Sequence, residues 1–281
     1  MYRKLRYLLI LSCLAIFATA NAQFDDPKTL EIGPHVGVSY YMGDLNPTLP
    51  FLQAQLQYGG VVRFNYDNRW TFRFDYSRAK VTASDEVAKW RPERGLNFTS
   101  NINDFSIVAE FNFLEYYTGN PKKNVSPYIF GGISVFQYTT YATVGDTLIN
   151  LGDYATEAPE PEDAKWYERM VGKTSPIGIS IPFGMGVKFS LSRHMAATVE
   201  WRMQKTFTDY LDDVATVYPK DHAVYTAPDG TTYDLTDPTG NYIEGQQRGN
   251  SAFNDWLGMA RVSLTWKFNL PDGRGCNLSK F

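Results

Sequence analysis

The sequence predicts an all-β chain that closes into an eight-stranded antiparallel transmembrane β-barrel, with short periplasmic turns and four long extracellular loops. Three observations predict it: an export signal at the N-terminus, eight runs with period-two alternation, and connections that alternate between short and long.

Arg3, Lys4 and Arg6 precede an apolar run from Leu8 to Phe17, and Ala20-Asn21-Ala22 places small residues before Gln23. That is a Sec-type signal peptide over residues 1–22, cut between Ala22 and Gln23. The run is too short for an anchor. Cys13 follows Leu11-Ser12 in a faint lipoprotein-like pattern, but the apolar run continues past it, so Cys13 reads as a passive member of the run. Removing Arg3, Lys4 and Arg6 from 27 basic residues leaves 24 against 30 acidic ones, net −6, and leaves Cys276 as the one cysteine. That charge gives no general attraction to nucleic acid. Hydrophobic content of 43% with 18 Phe, 19 Tyr and 6 Trp excludes a disordered chain. No later segment is long and apolar enough for a transmembrane helix, so the choice lies between a soluble secreted β protein and an outer-membrane barrel.

The runs, in order, are Leu30 to Met42, Ala54 to Tyr66, Trp70 to Arg78, Ile102 to Leu114, Pro127 to Tyr141, Ile177 to Leu191, Met195 to Phe207 and Asp255 to Phe268. Most alternate cleanly: Trp70, Phe72, Phe74 and Tyr76 against Thr71, Arg73, Asp75 and Ser77, for example. The run from Pro127 is the least clear, because both of its faces hold apolar and Gly residues. Asp67-Asn68-Arg69 and Ser192-Arg193-His194 are tight turns, and Tyr117 to Ser126 is a turn around Gly119-Asn120-Pro121. The long connections run over about 43–53, 81–101, 142–176 and 208–254. Strand lengths suit tilted bilayer crossings, and an even count puts both ends of the barrel (residues 23–268) and the tail (269–281) on the periplasmic side. Trp70, Tyr66, Trp256, Trp266 and Phe268 sit near strand ends, as interfacial girdles do.

The faces opposite the apolar ones collect Glu31, Arg63, Arg73, Asp75, Asp104, Glu110, Lys188, Glu200, Arg202, Arg261 and Lys267. Eight strands leave an interior that side chains just fill. Near balance of sign therefore reads as a paired network closing the lumen; the alternative is a narrow solute channel. A soluble β-sandwich would also alternate, but the strand lengths, the loop alternation and the signal favour the barrel.

No cofactor, metal set or catalytic site emerges. Asp221-His222, with Asp212 and Asp213 upstream, is the one pair suited to activating a water in a surface hydrolase, and nothing supplies the rest of such a site. His35 and His194 read as structural. Asp209, Asp212, Asp213, Asp229, Asp234 and Asp237 do not match a calcium-loop spacing and read as a solvated acidic loop. Glu160 to Met170 reads as a short helix in the third outer loop. Cys276, flanked by Gly273, Gly275 and Asn277, is either a periplasmic thiol that pairs with another chain or an incidental unpaired cysteine.

The segments Gly33-Pro34-His35-Val36-Gly37-Val38-Ser39-Tyr40-Tyr41-Met42-Gly43-Asp44-Leu45-Asn46, Ser126-Pro127-Tyr128-Ile129-Phe130-Gly131-Gly132, Pro182 to Lys188, Trp201-Arg202, Thr206 to Val214, Asp255 to Gly258 and Thr265 to Phe268 together resemble PorG-like barrels of the type IX secretion system of the Bacteroidota. Thr208-Asp209-Tyr210-Leu211-Asp212-Asp213-Val214 is the most specific piece. The resemblance implies a non-enzymatic outer-membrane subunit. It would tie a periplasmic ring of a PorK-type lipoprotein and PorN-type protein to the outer membrane; the lone mature cysteine and its glycine-flanked periplasmic tail then lead to the expectation that Cys276 forms a disulfide with that lipoprotein. Other outer-membrane secretion subunits and membrane lipids are further expected partners. The system serves protein export and, in gliding species, motility. A small outer-membrane channel or ligand-carrying barrel is the alternative.

Overall fold

The computed structural model describes residues 28–157, 176–250 and 254–270. Eight long strands form the wall: β1 (Thr29–Met42), β2 (Gln55–Asn65), β3 (Trp70–Ser84), β4 (Asn97–Asn112), β5 (Val125–Val144), β7 (Ile177–Ser190), β8 (Met195–Thr206) and β11 (Trp256–Asn269). They pair in the order β4-β3-β2-β1-β11-β8-β7-β5, and β4 pairs with β5 to close the cylinder. Every wall pairing is antiparallel. Closure removes the sheet edges, so each wall strand has a partner on both sides, as a span through lipid requires. A short strand β6 (Thr147–Asn150) folds back on β5, and β9 (Val224–Thr226) pairs with β10 (Thr232–Asp234) above the barrel.

The short turns are locally encoded. Asp67 Oδ1 accepts the N–H groups of Arg69 and Trp70 at 2.7 Å each, closing the β2–β3 turn with an Asx geometry. Ser192 Oγ accepts the Met195 N–H at 3.2 Å in the β7–β8 turn.

Alternation places Ile32, Val36, Phe72, Phe74, Ile107, Ile133, Ile181, Val199, Val262 and Leu264 on the outside, all exposed, while the intervening polar side chains are buried. An apolar exterior around a charged interior is the arrangement of an outer-membrane barrel: only lipid makes that exterior favourable. Among the described residues no helix is long and apolar enough to cross a membrane, so the crossing is by strands.

Three wall strands run further than the sequence predicts. β3 continues from Arg78 to Ser84, β4 starts at Asn97 rather than Ile102, and β5 reaches Val144. Much of the long connection predicted over 81–101 is thus wall. The reason is an inversion of the faces. Above Tyr76 and Phe105 the outward positions become Arg78, Lys80, Asn101 and Asn103, while Ala79, Val81, Ala83, Phe98 and Ile102 turn inward and are buried. At the long-loop end the barrel therefore has an apolar core, completed by Tyr41, Leu45, Phe136, Leu211, Val214 and Met259. It resembles a water-soluble barrel stacked on a lipid-embedded one.

The signal peptide, its Ala22–Gln23 cut, the Glu160–Met170 segment and Cys276 lie outside the described residues. β11 takes in Asn269, and Leu270 N–H donates to the Lys28 carbonyl at 3.1 Å, so both described ends meet at the short-turn rim.

Candidate functional site

Ion-paired and aromatic side chains crowd the interior. Around its centre, Arg73 reaches Asp75 at 2.8 Å and Glu110 at 2.6 Å and also meets Glu200. Arg261 bridges Asp75 at 3.1 Å and Glu200 at 2.7 Å, and Arg202 holds Asp104 at 2.9 Å. Glu110 also takes Arg63 at 3.3 Å and Lys188 at 2.5 Å. Aromatic side chains from β5 complete the packing, with Lys188 4.9 Å from the Tyr128 ring and the Arg73 guanidinium 4.8 Å from that of Phe130. These aromatics explain why the β5 alternation is hard to read: both of its faces are apolar, one toward lipid and one against charge. Tyr128 O–H donates to Glu200 at 2.7 Å. Nine of the eleven lumen residues singled out by sequence thus share ion pairs. Glu31 and Lys267 are held otherwise: Glu31 accepts from Thr118, Asn65 and Thr265 at 2.6, 3.1 and 3.0 Å, and Lys267 donates to the Thr118 carbonyl.

Those last contacts show that the connection after β4 is more than a turn. Tyr116 and Thr118 are buried, Lys267 lies 4.5 Å from the Tyr117 ring, and Gly119 N–H donates to Ser190 Oγ at 2.7 Å. The segment dips into the barrel and stoppers its short-turn end. His35 is buried in the lumen with Nε2 3.1 Å from the Tyr76 carbonyl, in a space that Gly59 keeps open. A Cβ at Gly59 would lie 2.7 Å from that nitrogen. His194 stacks on Trp266 with centroids 5.8 Å apart.

The long-loop end is stoppered by Thr208–Val214. Leu211, Asp212, Asp213 and Val214 are buried, and so is Asp237, which corrects the solvated reading for those three aspartates; Asp209 and Asp234 are half-buried and Asp229 is exposed. Leu211 N–H donates to Asp255 at 3.0 Å, Thr140 donates to the Leu211 carbonyl at 3.0 Å, and the Tyr41 hydroxyl is within hydrogen-bond distance of both Asp212 and Asp255. Burial and mutual repulsion hold Asp212 well above the ordinary carboxylate range and push Asp209 up to about 10; burial, with Asp44 nearby, pushes Asp255 up to about 8. Among the described residues no cluster of three or more side chains is arranged to hold a metal ion.

Two buried arginines tie the loops into one cap. Arg94 forks onto Asp85, with Nε at 3.0 Å from Oδ2, and its other nitrogens donate to the Arg248 carbonyl at 2.8 Å and the Asp44 carbonyl at 3.0 Å. Arg248 binds Glu157 and the Asp213 carbonyl, and Glu157 accepts the Ala215 and Thr216 N–H groups at 3.1 and 2.9 Å. All four long connections are thereby linked. His222 Nδ1 lies 2.6 Å from Asp234, so its carboxylate partner is Asp234 across the β9–β10 ribbon and not the neighbouring Asp221. Asp234 Oδ1 accepts the Thr236 and Asp237 N–H groups at 2.8 and 2.9 Å, which makes the pair a loop brace. Phe51, at φ 63°, folds back over the outer wall onto Tyr40, with ring centroids 4.4 Å apart. A left-handed backbone at a non-glycine residue costs about 1–2 kcal/mol, and the contact offsets it. Trp201 Nε1 donates to the Tyr40 hydroxyl at 2.9 Å.

Sequence reasoning missed Arg94, Asp85, Arg248 and Glu157, because nothing local distinguishes them from loop charges, and missed Tyr116 and Thr118 because their connection reads as a turn.

Among solved structures, the barrel is similar to the N-terminal barrel domain of Pseudomonas aeruginosa OprF, at 12% identity over 85% of this chain and 97% of that one, TM-score 0.37. It is also similar to Ail, the attachment invasion locus protein of Yersinia pestis, at 8% identity over 86% and 99%, TM-score 0.38. A third is a major outer membrane protein from Thermus thermophilus, at 11% identity over 86% and 100%, TM-score 0.40. No curated protein matches the chain. A model of the family described as Domain of unknown function (DUF6089) matches residues 5–159.

Proposed function

The chain belongs to the DUF6089 family, and from that premise we propose that it is a non-enzymatic outer-membrane subunit of a type IX secretion system that anchors a periplasmic ring. The observation that carries this reading is the sealed interior. Ion pairs fill the lumen, the Tyr116–Thr118 segment stoppers one end and the Thr208–Val214 segment the other. A barrel stoppered twice is suited to holding a partner in place rather than to passing a solute. The resemblance of Gly33 to Asn46 and of Thr208 to Val214 to PorG-like barrels supports the specific system.

With the long loops outward, the short-turn rim and the chain that leaves it at Leu270 face the periplasm. Cys276 follows six residues later and is the attachment we infer for a PorK-type lipoprotein, with a PorN-type protein completing the ring. The test is a mild-detergent pull-down of the tagged protein from outer membranes under non-reducing conditions. Co-purification of a lipoprotein ring, weakened in Cys276→Ser, is the expected result. Recovery of the barrel alone would overturn the anchoring role.

A further inference from the structure

On one flank of the long-loop rim the outer wall stays apolar. β3 and β4 turn to Arg78, Lys80, Asn101 and Asn103 there, whereas β1, β8 and β11 carry Met42, Met203 and Trp256 on their outward faces. Trp256 lies edge-on to Phe183, with centroids 6.1 Å apart, and Phe183 is itself exposed on the lipid-facing side. The patch is thus continuous with the apolar belt. Loop residues roof it: Pro47 from the first connection and Trp90 from the second, Trp90 being 57% exposed. Between wall and roof is a cavity of about 640 Å³, a volume typical of a small-ligand site.

The charges at its mouth have a direction. Arg91 lines the cavity with its side chain 31% exposed, and its partner Glu93, 3.4 Å away, is itself open to water. Lys89 is exposed next to Trp90, and Lys205 Nζ lies 5.8 Å from the Trp256 ring centroid. Arg94, deeper in the wall, is committed to Asp85. The opposing carboxylate is Asp44. It accepts the Asn250 N–H at 2.6 Å, and burial raises its pKa above the ordinary aspartate value. A largely apolar slot with Arg91 on its lining, and with Lys89 and Lys205 beside its two tryptophans, matches an amphiphile with an acyl chain and an anionic head.

We propose that this cavity holds an acyl chain of an outer-leaflet lipid, with the lipid's phosphate headgroup at Arg91, Lys89 and Lys205. A chain can slide in sideways from the bilayer along the apolar patch that joins Trp256 to Phe183. The inference rests on the outer-membrane reading with the long loops outward, and not on the ring-anchoring role.

The test uses the mature protein in detergent, exposed to a bisphosphorylated, acylated glucosamine disaccharide and then stripped, with bound lipid counted by native mass spectrometry. Wild type should retain one lipid. Trp90→Ala, and Lys89→Gln with Arg91→Gln, should each weaken retention about tenfold, and Ile133→Ala, an exposed wall residue, should not. Equal retention in Trp90→Ala, or equal loss in Ile133→Ala, would overturn the site. Equal retention of the dephosphorylated disaccharide would overturn the headgroup assignment. A second readout is independent of any folding defect: lipid with brominated chains should quench the emission that separates wild type from Trp90→Phe. An unquenched Trp90 would overturn the proposal.

Discussion

Arg94 donates a 2.8 Å hydrogen bond to the backbone carbonyl of Arg248, joining the second and fourth long connections through one buried guanidinium group. The Arg94 fork also carries the charge of Asp85 and the carbonyl of Asp44, so a single side chain organises three loops. Arg94→Ala leaves Asp85 buried without its cation, a change worth about 3–5 kcal/mol. The expected outcome is selective loosening: limited proteolysis cuts the long connections faster while the barrel keeps its heat-modifiable migration on gels. Unchanged cleavage would contradict the role given to Arg94.

Arg73 stands at the centre of the lumen network, against Asp75, Glu110 and Glu200. Arg73→Met should destabilise the barrel by about 3–5 kcal/mol, measured by urea unfolding in lipid vesicles. Adding Glu200→Gln should recover part of that loss, because it removes one negative charge that Arg73 no longer balances, while Arg261 keeps Asp75 as a partner.

A lumen filled in this way should not conduct. Pure protein in planar bilayers is expected to show no steady current. Stable, reproducible steps would favour the channel reading over the anchoring one.

The cap should also respond to pH in a defined sense. Folded Asp255 keeps its proton up to about pH 8, whereas an unfolded aspartate releases it near the ordinary value of 3.8. Between those limits the folded cap binds more protons than the unfolded segment, so its stability falls as pH rises, and the loss is complete above about pH 8. Asp209 extends the trend to about 10. Hydrogen exchange of the amides around Leu211, corrected for intrinsic rate, should be faster at pH 9 than at pH 6, and Asp255→Asn should flatten the difference.

Much of the fold was legible because lipid imposes a strict period. Trp70, Phe72, Phe74 and Tyr76 on one face and Arg73 and Asp75 on the other leave little choice of element or orientation. Legibility failed where the solvent changes. At Arg78 the alternation keeps its period but reverses its sign, so a search for apolar-out strands stops there although the strand runs on to Ser84. The lumen charges could be gathered from sequence because they share that period. The cap could not: Arg94 meets Asp85 across nine residues and Arg248 across 154. Such contacts come from how the loops cross and leave no pattern along the chain.

The lumen network also bears on biogenesis. Its charges come from β2, β3 and β4 early in the chain and from β7, β8 and β11 late in it. A nascent N-terminal half can pair Arg73 with Asp75 and Glu110 but still lacks Glu200 and Arg261, so its network would enter the bilayer only partly compensated. Insertion hairpin by hairpin is therefore disfavoured, and the chain must be gathered to its last strand before lipid surrounds it. A copy truncated before Trp256 should stall in the periplasm as a degradation substrate instead of accumulating as a leaky, half-built pore.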